Sequence, residues 1–188
     1  IEGELNIPKW KMFAFVGYAL VNNNIYYDTL GIIRQTPELV NVLSAYLQKN
    51  FKFWKIHLDN QVLFQMSSNQ ESLPLPMLAL HLRYYFQFDV VKNVMKVQIG
   101  ADGTFTTAYY APAYNPATGQ FQNQTLEKVG NCPYIDVFAN FQWKTATIFL
   151  KFTNANQGWP NSDYFSAYHY IKPKRAFKVG IFWPFFVK

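Results

Sequence analysis

Alternation of apolar and polar residues at a period of two, sustained over segments of about ten residues, most narrows the folds open to this chain. Residues 77–89 show it best. Leu78, Leu80, Leu82, Tyr84, Phe86 and Phe88 look one way, and Ala79, His81, Arg83, Tyr85, Gln87 and Asp89 the other. Such a segment is a β-strand with one apolar face. The pattern returns in 53–66, 95–105, 134–143, 146–154 and 176–187. Half of the 188 residues are hydrophobic and 19% aromatic, yet no window approaches the run of about 18 apolar residues that a spanning helix needs. A soluble α/β domain gathers its apolar residues into buried runs, whereas a membrane barrel spreads them as every second residue.

Strands are expected to start at Lys11, Leu39, Phe53, Met77, Met95, Tyr134, Ala146 and Ala176, eight in all, preceded by a stub over 1–7 that reads as the tail of an earlier strand. Both faces of 11–21 are apolar, so its orientation stays open. Segment 39–48 also partly fits a helix face and is assigned as strand from its neighbours, and Asn60 falls on the apolar face of 53–66. Short connections at Pro8, at 50–52, at Lys92 and at Lys144 alternate with longer ones over 22–38, 67–76, 106–133 and 155–175. Outer-membrane barrels have this parity, with short periplasmic turns and long extracellular loops. The polar faces fit it too, because His81, Arg83, Gln87, Asp89, Lys96, Gln98, Asp102, Asp136, Asn140, Gln142 and Lys151 would line a hydrated interior. Trp54, Trp143 and Trp183, with Tyr84 and Tyr134, are candidates for the interfacial aromatic girdles.

The last segment contains Lys178-x-Gly180-x-x-Trp183-x-Phe185. It resembles the C-terminal signature of outer-membrane β-barrels, which closes the barrel and addresses the chain to the assembly machinery. Pro184 departs from that pattern, since it lacks an N–H for the ladder. Further stretches resemble the putative porins of Bacteroidetes: Asn41-Val-Leu-Ser-Ala-Tyr-Leu-Gln-Lys49, His57-Leu-Asp-Asn60, Ser67-Ser-Asn-Gln70, Leu73-Pro-Leu-Pro76, Tyr109-Tyr-Ala-Pro-Ala-Tyr-Asn-Pro-Ala117 and Asn156-Gln-Gly158. Members of that family are much longer, so the resemblance implies that residues 1–188 are a single barrel domain or the C-terminal segment of a larger barrel. It supplies no catalytic residues.

Other chemistry is poorly supported. His57, His81 and His169 lack metal-ligand spacing, Ser67 and Ser68 lack a nucleophile-elbow pattern, and no phosphate-cradling loop occurs, so no enzyme, cofactor or metal is expected. Cys132 is a single thiol with no partner for an intrachain disulfide. The net charge of +6 is not gathered into a dense basic run, which argues against nucleic acid. Arg83 and Asp89 with Lys96 and Asp102 could form a charge ladder across neighbouring strands, and Tyr109, Tyr110 and Tyr114 are expected to pack a long loop over the mouth. Chain start at Ile1, with neither initiator Met nor leader, suggests a piece of a longer protein.

The expected fold is therefore all-β, an antiparallel transmembrane outer-membrane β-barrel of about eight strands here. The expected partners are outer-membrane lipid, the barrel-assembly machinery, and further barrel strands or subunits. Passage of small hydrophilic solutes is the leading expectation for function. A non-conducting barrel serving as receptor, scaffold or subunit is its rival, and a soluble β-sandwich fits the loop parity least.

Overall fold

In the computed structural model, residues 1–160 and 165–184 are described. The strands are β1 (Glu2–Ile7), β2 (Met12–Val21), β3 (Ile25–Tyr27), β4 (Ile33–Gln35), β5 (Val40–Phe53), β6 (Ile56–Ser67), β7 (Leu78–Val91), β8 (Met95–Thr106), β9 (Ala113–Asn115), β10 (Gln120–Gln122), β11 (Tyr134–Trp143), β12 (Ala146–Thr153), β13 (Phe165–Ala167), β14 (Tyr170–Ile171) and β15 (Ala176–Phe182). Nine of them form one antiparallel sheet in the order β1-β2-β5-β6-β7-β8-β11-β12-β15, each paired with its neighbour in the chain. The six short strands pair as hairpins, β3 with β4, β9 with β10 and β13 with β14, inside three of the long loops. The sheet is open, with β1 and β15 as its edges. The fold is all-β and antiparallel, as the period of two predicts. The expected eight strands become nine because the stub over 1–7 is itself a paired strand, with Glu2 opposite Gly17 and Ile7 opposite Met12.

Register settles the faces. Opposite residues in an antiparallel pair share a face, and Glu2, Glu4 and Asn6 lie opposite Gly17, Phe15 and Phe13. Phe13 and Phe15 are in turn opposite Gln48 and Tyr46. Phe13, Phe15, Gly17 and Ala19 therefore stand on the polar face, and Met12, Ala14, Val16, Tyr18 and Leu20 on the apolar one. Among the described residues that apolar face carries one Lys, Arg, Asp or Glu side chain, Lys49 opposite Met12. Its Nζ donates to the Trp10 carbonyl oxygen. Asn60 does stand on the apolar face and is satisfied there: Tyr84 Oη donates to its Oδ1 at 2.8 Å, and its Nδ2 donates to the Lys49 carbonyl at 3.1 Å. Tyr18 Oη likewise donates to Asn41 Oδ1 at 2.9 Å. The polar side chains on this face are hydrogen-bonded to one another or to backbone carbonyls.

One expected turn is misplaced. β5 runs straight through 50–52 and reverses at Trp54-Lys55, between the opposed Phe53 and Ile56. Trp54 has φ 53°, in the left-handed region. A two-residue hairpin loop with positive φ matches the twist of the flanking strands, and here a bulky residue takes a position that glycine or asparagine usually fills. The turn at Lys144-Thr145 repeats this with Lys144 at φ 50°. Lys92 leads into a turn with Asn93 at φ 59°, next to a bulge between Asp89 and Val91. The β1–β2 connection is a short 3-10 turn, Pro8–Trp10, ending at Lys11 with φ 47°. Asp102-Gly103 lies inside β8 in unbroken register on both sides, so the glycine marks no bulge.

Among the described residues the other three sheets are two-stranded hairpins within the loops, whereas a sandwich packs the inner faces of two large sheets together. On β11, Val137 on the apolar face is 43% exposed while Phe138 on the polar face is 5% exposed. On this strand the crowded side is thus the polar one. Val97 is buried on the apolar face because it sits between Phe88 and Phe141. Most of the other buried residues are in the loops, among them Ala111, Ala113, Val129 and Cys132, while Val40, Ser67, Asp136 and Thr153 are at or near the loop ends of their strands.

Candidate functional site

All eleven residues expected to line an interior share the polar face. Register carries the face across the sheet: Arg83 opposite Asp102, His81 opposite Thr104, Gln87 opposite Gln98 and Asp89 opposite Lys96. It continues with Asp102 opposite Asp136, Gln98 opposite Asn140 and Lys96 opposite Gln142, then Phe138 opposite Lys151. Asp59, Gln61 and His57 extend it on β6, and Lys178 on β15.

At its centre four charges form one network. Lys151 Nζ lies 2.8 Å from Asp136 Oδ2 and 3.4 Å from Asp102 Oδ2. Arg83 Nε approaches the other Asp102 oxygen at 3.6 Å, an ion pair too long for a hydrogen bond. Asp136 also accepts the Asn154 backbone N–H at 2.8 Å, which fixes its carboxylate at the strand end. The expected ladder is therefore only partly formed. Arg83 does meet Asp102, but among the described residues Asp89 and Lys96 face each other without an ion pair. Lys151, two strands away from Asp102, takes the bridging place because a lysine stem spans the intervening Phe138.

Aromatic rings hold these charges in position. The Arg83 guanidinium lies 4.6 Å from the Phe138 ring centroid and 5.7 Å from that of Tyr85, and His57 stacks on Tyr85 at 4.6 Å. A guanidinium over aromatic faces is attracted by the ring quadrupole, less strongly here than in a desolvated site because the Arg83 side chain is 40% exposed. Gly100, opposite Tyr85 and Phe138, makes this possible, because a Cβ there would strike the Tyr84 carbonyl and the Tyr85 side chain. Towards the turns, Gln98 Nε2 donates to Gln87 Oε1 at 2.8 Å and Asn140 Nδ2 to Gln98 Oε1 at 3.2 Å. The side-chain alternation shows that these residues share a face. The cross-strand partners depend on register, which periodicity leaves undetermined.

In the C-terminal signature, Lys178 is opposite Lys151 and Gly180 opposite Phe149, whose ring folds over the glycine. Trp183 follows β15 and is exposed. Phe185 lies outside the described residues. Of the girdle candidates, Trp54 and Trp143 flank short turns. Tyr134 faces the polar side instead, beneath Lys172 Nζ at 5.5 Å, because its parity matches Asp136. Among the described residues no three potential metal ligands converge. His81 is on the polar face and His169 stacks on Tyr168 at 3.9 Å.

The long loops converge over the polar face. Lys172 on Tyr134 places the 154–175 loop there. The β9–β10 hairpin touches that loop through Tyr114 and Tyr170, 6.1 Å between ring centroids. It also touches the 22–39 loop, where Gln122 Nε2 donates to the Thr29 carbonyl at 3.3 Å and the Asn123 N–H to the Tyr27 carbonyl at 2.9 Å. Those two loops are rooted six strand spacings apart, roughly 29 Å along the sheet. Gln124 organises the hairpin's own loop, donating to the Ala111 and Glu127 carbonyls and accepting from the Leu126 and Glu127 amides. Tyr109 pairs with Val129, and burial pushes its phenol up from the ordinary value. The expectation that the tyrosines pack the loop agrees with these contacts. Sequence reasoning missed Gln124 and Gln122, which carry no signal beyond polarity.

Within the cover a cleft of about 270 Å³ is lined by Tyr26, Asp28, Arg34, Glu71, Tyr110 and Asn123, among others. Arg34 Nε donates to Asp28 Oδ2 at 2.9 Å, and the Ile32 and Leu30 amides donate to Oδ1, both at 2.9 Å. These partners, Arg34 foremost, hold the Asp28 carboxyl below its usual range. A lowered folded value means that the stabilisation is present above the ordinary carboxylate range and is lost as pH falls through the lowered value. Protection factors of the Leu30 and Ile32 amides in hydrogen exchange are expected to fall with acidification in that window. In Asp28→Asn they should be lower at neutral pH and insensitive to acid, and an unchanged profile would refute the role given to the carboxylate.

Comparison with known proteins agrees with this architecture. The family model described as Putative porin matches residues 1–187. No curated protein and no solved structure matches the chain. Since the matched region covers essentially its full length, the chain belongs to the putative porin family.

Proposed function

We propose that the nine-stranded sheet is one arc of the wall of an outer-membrane pore through which small hydrophilic solutes diffuse. The carrying observation is the division of the sheet, among the described residues, into a face with a single Lys, Arg, Asp or Glu side chain, Lys49, and a polar face with Arg83, Asp89, Lys96, Asp102, Asp136 and Lys151. Lipid accepts the first and water the second. Family membership supports the same reading. In hydrocarbon no open sheet edge survives, because each unpaired backbone group costs several kcal/mol. The edges of β1 and β15 therefore require further strands, from the same protein or from another subunit. A barrel of eight strands leaves room only for its own side chains, and Tyr85, Phe138, Phe149, Arg83 and Lys151 would fill it. A water path needs a wider ring.

The test is conductance in planar bilayers. The complete barrel is expected to give discrete current steps and the nine-stranded segment alone none. Currents from the segment alone would overturn the closure argument, and silence from the complete barrel would overturn solute passage. A second reading, a covered barrel that acts as receptor or scaffold, draws on the converging loops. Conduction that appears only after excision of residues 109–129 would favour it. No catalytic role is assigned, and the assembly machinery enters as a partner through the C-terminal signature alone.

A further inference from the structure

The net charge of the chain is unevenly placed. The four short connections, 8–11, 54–55, 92–94 and 144–145, contain Lys9, Lys11, Lys55, Lys92 and Lys144 and no acidic residue. The four long loops contain equal numbers of acidic and basic residues. Nearly the whole excess of +6 therefore sits at the turn end of the sheet. Lys49, the cation on the apolar face, belongs to the same end and reaches the Trp10 carbonyl oxygen. The acidic residues nearest the turns, Glu4, Asp59 and Asp89, all lie on the polar face.

Tryptophan is concentrated at the same end, Trp159 in the 154–175 loop being the exception. Trp10, Trp54 and Trp143 flank three of the four connections and are 58%, 76% and 61% exposed. Lys55 Nζ lies 5.0 Å from the Trp54 ring centroid, so cation and ring present one surface. Backbone strain points the same way, His169 in the 154–175 loop apart. Lys11, Trp54 and Lys144 occupy left-handed positions, φ 47°, 53° and 50°, that glycine or asparagine would fill at lower cost. Residues kept in a strained conformation are candidates for what their side chains do.

We infer that the turn end is a binding surface for the phosphate groups of anionic phospholipids, with the tryptophans seated at the headgroup level and the lysines in contact with the phosphates. This rests on the membrane reading above. Each lysine held near an anionic surface adds attraction that salt screens within a Debye length. Indole rings anchor the same depth by their mixed polarity.

The experiment compares the protein, in its complete barrel, on vesicles of phosphatidylcholine alone and of phosphatidylcholine with phosphatidylglycerol. Lys→Gln substitution at 9, 11, 55, 92 and 144 is set against Lys→Arg at the same five positions. Wild type is expected to bind vesicles containing phosphatidylglycerol at least tenfold more tightly than those without, and to lose that preference in high salt. The Gln variant should lose it at all salt concentrations yet enter phosphatidylcholine as wild type does, while the Arg variant keeps it. Preference retained by the Gln variant, or absent from wild type that inserts in both vesicles, overturns the proposal alone. Failure to insert in either overturns the membrane reading and the proposal together. A Gln variant that no longer enters phosphatidylcholine also counts against the proposal, since it assigns these lysines a structural role.

Discussion

Arginine in place of Leu82, Ile99 or Ile148 is expected to lower the unfolding free energy of the lipid-embedded protein by about 2–4 kcal/mol, whereas the same residue at Gln98 or Asn140 costs much less. The three positions are mid-strand on the apolar face, and Gln98 and Asn140 are opposite each other on the polar one. In lipid a central guanidinium must drag water or headgroups towards itself, while on the polar face it meets carboxylates and amides already present. Reversible unfolding from vesicles in denaturant gives both numbers. Equal costs on the two faces would invert or abolish the assignment of lipid and lumen. A cost confined to the polar face would mean that the crowded side is a core.

Lys151→Met is expected to destabilise by about 1–3 kcal/mol, less than the roughly 3–5 kcal/mol for removing one partner of a fully buried pair. The lysine side chain is about a third exposed, so solvent screens part of the interaction. Methionine preserves the apolar stem beside Phe138 but leaves Asp102 and Asp136 directly opposed with no cation between them. Asp136→Asn in that background should recover much of the loss. It removes the like-charge pair, and its side-chain oxygen can still accept the Asn154 N–H. Asp136→Asn alone should destabilise, so the cycle gives a coupling of opposite sign to the single effects. Additive losses would show that Lys151 acts through packing rather than by neutralising the carboxylates.

What the sequence made legible follows from where side chains alternate without ambiguity. β7, β8 and β11 have one polar and one apolar side, and Tyr134–Trp143 was bounded correctly from that alone. β2 carries Phe13 and Phe15 on one side and Val16 and Leu20 on the other, so only its pairing with Glu4 and with Tyr46 assigns them. The β5–β6 turn was misread because Asn50 tolerates a left-handed backbone while Trp54 advertises a strand. Sequence order could not show that Lys151 crosses β11 to reach Asp102, nor that Gln122 fastens to Thr29, 93 positions away. Both are consequences of curvature and register, which alternation leaves free.

The fastenings of the loop cover have a consequence of their own. Asn24, Gln122 and Asn123 hold three loops together through carboxamide bonds to backbone carbonyls, Gln124 braces one of those loops from within, and Asp28 with Arg34 makes a local ionic contact inside one hairpin. Carboxamides neither titrate nor carry charge, so acid and salt leave these links intact. The links between loops are therefore insensitive to acid and salt, and what parts them must compete for the same carbonyls or pull on the chain.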